Sequence, residues 1–147
     1  MKDTQPEALR FSFVDPLLLD IVWEDAVKLL QPAIDTAGGM YTAESVREAL
    51  DRRLLVLWMA TDGTKPIAAI TTRIIAYPTA RALAMDWIGG SRMKEWLPIA
   101  MPEIKKYAAF QGCTRLEGYG RKAWMRWLSP HGWEQNYIAY KMDLTDE

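Results

Sequence analysis

The sequence predicts an α/β fold: a mixed sheet with an antiparallel meander, one parallel crossover helix and flanking helices. Three observations carry this reading. Residues 54–88 contain three apolar runs separated by the short turn signals Asp62-Gly63 and Tyr77-Pro78-Thr79, the pattern of strands in a meander. The third run meets Gly89-Gly90, and Met93, Trp96, Leu97, Ala100, Ile104, Tyr107 and Ala108 then follow at helical spacing. That helix ends at Gly112 and gives way to another short strand-like run. Strand, glycine turn, helix and strand make a parallel unit, because parallel strands need a long crossover.

In chain order, Phe11–Val14 reads as a short first strand. Asp15-Pro16 reads as an N-cap with proline at the first helical position. Leu18, Ile21, Val22, Val27, Leu29 and Leu30 make a broad apolar helix that the pattern stops near Pro32. Gly38-Gly39 is a loop, and Thr42 caps a second helix in which Val46 and Leu50 share a face. Arg52-Arg53 ends that helix with charge that suits its dipole. Strands are predicted at 54–60, 66–76 and 81–88, with 82–88 and 115–119 as parallel neighbours. Pro98 and Pro102 predict a kink or split in the long helix. Arg121–Leu128 reads as a short helix and Gln135–Leu144 as a closing strand.

Length and composition bound the rest. A chain of 147 residues with half its residues hydrophobic and a quarter charged suits one soluble domain, residues 1–147. No apolar run reaches the ~18 residues of a membrane span, and the N-terminus lacks a signal-like apolar region. Cys113 is the only cysteine, so no internal disulfide forms, which fits a cytoplasmic protein. The net charge of −1 does not favour nucleic acid. Its distribution is uneven: residues 1–51 hold four basic against ten acidic residues, and residues 91–126 hold eight against three. A local basic region suits an anionic ligand or balances the acidic half within the fold. Five of the seven tryptophans lie after residue 86, which places large aromatic packing in the C-terminal half.

The turn at Gly89-Gly90 opens a helix N-terminus, where free N–H groups and the helix dipole suit a phosphate. Ser91 and Arg92 follow in the first turn, Arg92 as a second contact. The plainer reading of the two glycines is a tight strand-to-helix turn. Parallel units place ligands at the carboxyl ends of strands, here Ile88-Gly89 beside Gly118-Tyr119. The sequence contains no P-loop and no Cys/His metal spacing. Cys113 lacks an adjacent base and reads as packing. His131 reads as a loop residue. Trp124 and Trp127 with Arg121, Lys122 and Arg126 read as a core helix with a solvated basic face rather than a single-strand binder.

The element order resembles the GNAT superfamily of N-acetyltransferases, which bind acetyl-CoA. Its pyrophosphate loop begins with Arg or Gln and has two spaced small residues; this chain offers Ile88-Gly89-Gly90-Ser91-Arg92-Met93, with the glycines but not that spacing or leading base. A later family motif has Asn, Ala, Tyr and Gly-Phe. At its spacing this chain has Arg121, Trp124, Leu128 and Gly132-Trp133. The chain is also similar to small GNAT-like proteins of tailed bacteriophages. The resemblance implies acetyl-CoA as cosubstrate, held by Trp87, Ile88, Gly89, Gly90, Ser91, Arg92 and Arg121. It implies acyl transfer to a primary amine of a small molecule or protein. Leu128 stands where the family often has the tyrosine that protonates the leaving thiolate, so another donor, Tyr137, Tyr140 or water, is needed. Glu117 and Asp86, on neighbouring strands, are the candidate general bases; each has the plainer reading of a structural partner for an arginine, Arg73 or Arg81 for Asp86. The alternative function is a GNAT-shaped module without catalysis that binds a protein partner, a host or virion component.

Overall fold

The meander forms where the apolar runs predict it. In a computed structural model that describes residues 9–120 and 124–144, β1 is Leu9–Phe13, β2 Val56–Asp62, β3 Lys65–Ala76, β4 Arg81–Gly90 and β5 Arg115–Gly118. The sheet order is β1-β2-β3-β4-β5. The first three pairs are antiparallel, and β4 and β5 are parallel. Asp62 pairs with Lys65, so Gly63-Thr64 is a two-residue hairpin loop, and Gly63 takes the positive φ of 62° that it needs.

Helices cover both faces of the sheet. On one, α3 (Met93–Phe110) buries Trp96, Leu97, Ala100, Met101 and Ile104 against Phe11, Trp58, Ile70, Leu83 and Met85. Phe11 lies stacked between Trp58 and Trp96, with centroids 5.5 and 6.1 Å away. The aromatic core therefore joins both halves of the chain. On the other face, α1 (Leu19–Asp35) and α2 (Ala43–Asp51) bury Ala26, Leu30, Ile34, Val46 and Leu50 over Leu57, Met59 and Ala69. Thr42 and Ser45 cap α2 reciprocally. The chain enters α1 through a 3-10 turn, Pro16–Leu18, whose Asp15 carboxylate accepts the Leu17 N–H.

Four expectations need correction. The helix does not stop near Pro32: α1 continues to Asp35. Nor do Pro98 and Pro102 split α3, which is one unbroken helix. All three prolines are exposed, so the carbonyls they leave without an N–H partner face water rather than core. Gly89 and Gly90 are not a turn. They are the last residues of β4, paired with Ala69 and Ala68 of β3. Finally, residues 135–144 form no strand. Among its described residues, the C-terminal region has the short helix α4 (Met125–Leu128), a 3-10 turn at Ser129–His131 and an exposed tail. The expected start of its helix, Arg121, lies outside the described residues.

Candidate active site

β4 outruns its parallel neighbour. The two strands pair from Ala82↔Arg115 to Met85↔Gly118, and β4 then continues to Gly90 with no partner on that side among the described residues. The strands part at a β-bulge. Pairing with β3 jumps from Thr72↔Met85 to Ile70↔Ile88, so Asp86 and Trp87 together oppose Thr71. The buried Thr71 hydroxyl accepts the Trp87 N–H at 3.2 Å and fixes the extra residue. A bulge adds local twist, and here it opens a wedge along β4 residues 86–90, beyond the end of β5.

The register sets side chains at the mouth of this wedge. Arg73 pairs with Ala84, and Ala84 with Glu117, so the three share a row on the α1 face of the sheet. Ala84 is small and leaves space between the flanking charges. Arg73 holds Asp86 with two hydrogen bonds, 2.7 and 3.1 Å. Glu117 is held more fully. It accepts from the Tyr77 hydroxyl at 2.9 and 2.8 Å, from Tyr119 at 2.9 Å, and from Arg115 at 2.8 and 2.6 Å. Both carboxylates are largely covered, with side-chain exposures of 14% and 10%. Tyr41, in the loop between α1 and α2, meets Trp87 edge-on at 5.2 Å.

These contacts set the proton affinities. Burial alone would raise the Glu117 carboxyl, but Arg115, Tyr77 and Tyr119 outweigh it and hold the group below the usual carboxylate range. Burial and the bond to Glu117 push the Tyr119 phenol well above the usual tyrosine range. The Glu117 bond, then burial, raises Tyr77 as well. Asp86 has the arginine partner that its plainer reading named, and that partner is Arg73. Sequence reasoning placed Tyr119 beside the expected ligand site but missed Tyr77, Arg115 and Tyr119 as the partners of Glu117. Arg115 and Tyr119 flank Glu117 at the strand period of two, which was a readable signal. Tyr77 is reached only through the turn in which its N–H bonds the Ala80 carbonyl.

The residues named for acetyl-CoA divide. Trp87 lies in the bulge, while Ile88 packs against the α3-side core. Gly89 lies under α1: a Cβ there would sit 2.8 Å from the Leu29 carbonyl carbon and 3.2 Å from the Leu30 Cα. At Gly90, with φ 120°, it would sit 2.6 Å from the Ala68 Cα. Both glycines thus serve backbone packing. The Ser91 N–H bonds the Ile67 carbonyl at 2.9 Å. Arg92, at the N-cap of α3 with φ 63°, binds Asp62 at 2.6 Å and Glu95 at 2.9 and 3.1 Å. The expected phosphate contact is already matched by two carboxylates. The N–H groups of Met93 and Lys94 in the first turn have no intrahelical partner. Arg121 lies outside the described residues. Leu128 packs against the α3-side core, far from proton-donor chemistry by its nature. Among the described residues no group of three or more His, Cys, Asp or Glu could hold a metal, and no helix is long and apolar enough to cross a membrane.

No protein-family model and no curated protein matches the chain. Solved structures do. An aminoglycoside acetyltransferase from an uncultured soil metagenomic sample, in complex with sisomicin, has 9% identity and a TM-score of 0.68, with 93% of this chain and 97% of that one covered. A predicted acetyltransferase from Clostridium acetobutylicum, with acetyl-CoA, has 13% identity and a TM-score of 0.63 over 92% and 96%. A GNAT family acetyltransferase from Staphylococcus aureus has 10% identity and a TM-score of 0.63 over 93% and 99%. At these identities the likeness is one of fold along nearly the whole of each chain, and this chain has the fold of the GNAT acetyltransferases.

Proposed function

We propose that the chain is an acetyl-CoA-dependent N-acyltransferase acting on a primary amine of a small molecule or protein. The observation that carries this reading is the wedge between β4 and β5 with Glu117 and Asp86 at its mouth. Acetyl-CoA supplies an activated thioester carbonyl. The unpaired side of β4 at 86–90 offers backbone N–H and C=O groups to an extended pantetheine arm, as an added strand would. A backbone N–H in that stretch can polarise the carbonyl oxygen.

Glu117 is the group that receives the amine proton, through water. It is ionised throughout the neutral range, and its bonds to Tyr77, Tyr119 and Arg115 hold it in place. Its depressed proton affinity makes it a weak base, so its contribution belongs at the low end of the ~10²–10⁴-fold range of general bases. Asp86, bound on two sides by Arg73, keeps the second arginine oriented and takes the lesser role. Two carboxylates matched by two arginines leave the acceptor face near neutral. Such a face suits an acceptor of low charge, with Tyr41 and Trp87 as an apolar contact, more than a polycation.

Two observations favour a second reading, a module of the same fold without catalysis that binds a protein partner such as a host or virion component. Arg92 is engaged by Asp62 and Glu95, and Leu128 cannot donate a proton. Calorimetry with acetyl-CoA and with CoA separates the two. Saturable binding, together with acetylation of any member of a broad amine panel, upholds the enzyme. Absence of binding by a well-folded protein supports the module.

A further inference from the structure

Glu117 does not meet the wedge alone. It stands one pair before the parallel ladder ends at Met85↔Gly118. Two of its partners are anchored toward the other end of the strands: Tyr77 in the turn that leads into β4, and Arg115 at the first residue of β5. Its third partner, Tyr119, is the first residue past β5 and stands where the two strands part. Tyr119 follows Glu117 by the strand period of two, which puts both side chains on one face. Its hydroxyl donates to Glu117 Oε1 at 2.9 Å, within reach of direct proton transfer. At 46% exposure the residue is open to a bound molecule. Its influence extends across the mouth of the wedge: Asp86 most of all, and then the phenols of Tyr119 and Tyr41, raise the Arg73 guanidinium.

We propose, resting on the reading of the chain as an N-acyltransferase, that Tyr119 and Glu117 form a proton relay. The phenol gives its proton to the departing sulfur while Glu117 returns to the phenol the proton it took from the amine. The N–C bond forms as the amine attacks the thioester carbonyl, and Glu117 takes the N–H proton through water. The C–S bond breaks as the carbonyl re-forms, and the Tyr119 proton completes the thiol. Amide and thiol are the products, and both side chains end in their starting states. The proton affinities fit this order. Burial, then the bond to Glu117, keeps the phenol protonated far into the alkaline range, so Tyr119 is not the first acceptor. Glu117 is ionised at neutral pH and is. A phenol of this kind parts with its proton only when a replacement is at hand, and a protonated Glu117 hydrogen-bonded to it is that replacement. Tyr77 bonds the same carboxylate from the turn, and Tyr137 and Tyr140 lie in the exposed tail. Among the described residues Tyr119 alone joins the base to the wedge.

Tyr119→Phe removes the proton and keeps the ring. The assay is steady-state acetyl transfer to an amine that the parent accepts, from acetyl-CoA and from S-phenyl thioacetate. An aryl thiolate departs without a proton, since the more acidic thiol is the better leaving group. With acetyl-CoA, Tyr119→Phe should lower kcat about 10²-fold, while CoA affinity by calorimetry is unchanged. With the phenyl thioester its kcat/KM should fall less than about threefold, whereas Glu117→Gln should lose rate with both donors, because either reaction must shed the amine proton. A merely supporting role for Tyr119 lowers both donors alike. In mixtures of light and heavy water, the rate with acetyl-CoA should depend on deuterium content along a curve for the parent, as two protons move together, and along a line for Tyr119→Phe. A parent without acetyl transfer overturns the enzyme reading and the relay together. A parent that transfers acetyl overturns the relay alone if Tyr119→Phe keeps full rate, if it loses equally with both donors, or if the parent's own dependence is linear.

Discussion

Gly89→Ala tests whether the glycine pair serves packing or ligand approach. A methyl group there would sit 2.8 Å from the Leu29 carbonyl carbon, with the Leu29 oxygen nearer still. Carbon atoms in contact prefer ~3.5–4.0 Å, so α1 must retreat by about 1 Å. That helix is anchored by Ala26, Leu30 and Ile34, all essentially inaccessible to solvent, and the obstacle is backbone that cannot rotate away. Overpacking of this kind costs about 1–3 kcal/mol, and the backbone obstacle puts Gly89→Ala near about 3. For a domain of this size such a loss lowers Tm by roughly 6–12 °C. The assay is urea unfolding of the free protein, followed by tryptophan fluorescence. Gly38→Ala is the control: φ is 64° but nothing lies within 4 Å of the added methyl, so only the left-handed backbone cost of about 1 kcal/mol applies. Should Gly89→Ala be no more destabilising than Gly38→Ala, the packing account of Gly89 is wrong. A loss confined to CoA binding, with stability intact, would return Gly89 to the phosphate.

Other outcomes follow from the site. Glu117→Gln should lower kcat about 10²-fold with CoA affinity unchanged, measured on any amine the panel identifies; full activity removes Glu117 from the proposed chemistry. Because Glu117 is held below its unfolded value, its stabilisation is present above about pH 4.3 and disappears as pH falls through the folded value. The stability gap between parent and Glu117→Gln should therefore close in acid, and a gap that widens there contradicts the contacts described. Tyr119 is shifted upward, so its stabilisation is present below about pH 10 and is lost as pH rises through the folded value. Parent and Tyr119→Phe should converge in stability above that pH. Asp62→Asn with Glu95→Gln should tighten CoA binding by freeing Arg92, and calorimetry that shows weaker binding would exclude Arg92 as a phosphate contact. Gly90→Val should destabilise the free protein by crowding Ala68, and a stable variant would refute that packing.

The meander was legible because its information is local: short apolar runs and Asp62-Gly63 specify strands and a hairpin without help from elsewhere. The parallel pair was legible for the same reason, since the spacing of α3 forces a crossover. What was not legible depends on distant partners. The role of Gly89 is set by Leu29, which the sequence places sixty residues away. The bulge at Asp86-Trp87 depends on a hydroxyl at Thr71. Proline's cost depends on which face of the helix loses its bond, and at Pro32, Pro98 and Pro102 that face is solvent. The predicted closing strand, Gln135–Leu144, does not form, and has no partner strand among the described residues. In the site, Glu117 and Asp86 were found as residue types on adjacent strands. Arg73 was one of two partners named for Asp86, but the partners of Glu117 were not found, because Tyr77 lies in the turn after β3 and reaches Glu117 only through the fold.

Arg92 shows how these levels compete. As a residue in the first turn of a helix, it suits an anion. In the fold it closes a three-member ion cluster in which Asp62 reaches across from the end of β2 and Glu95 sits three residues on. Those contacts are at the surface: the side-chain exposures are 36% for Arg92, 38% for Asp62 and 54% for Glu95. Exposed ion pairs are readily exchanged, because water and salt replace either partner with little loss. A pyrophosphate could therefore draw Arg92 away, but the two carboxylates would remain beside it and repel the incoming charge. The N-terminal N–H groups of α3 work in the opposite sense. The balance is set by net charge within one Debye length rather than by the glycines, which are committed to α1 and β3. On the proposed reading, affinity for CoA at this end of the site is therefore expected to depend on Asp62 and Glu95, two residues outside any glycine motif, and to change with salt according to which charge dominates.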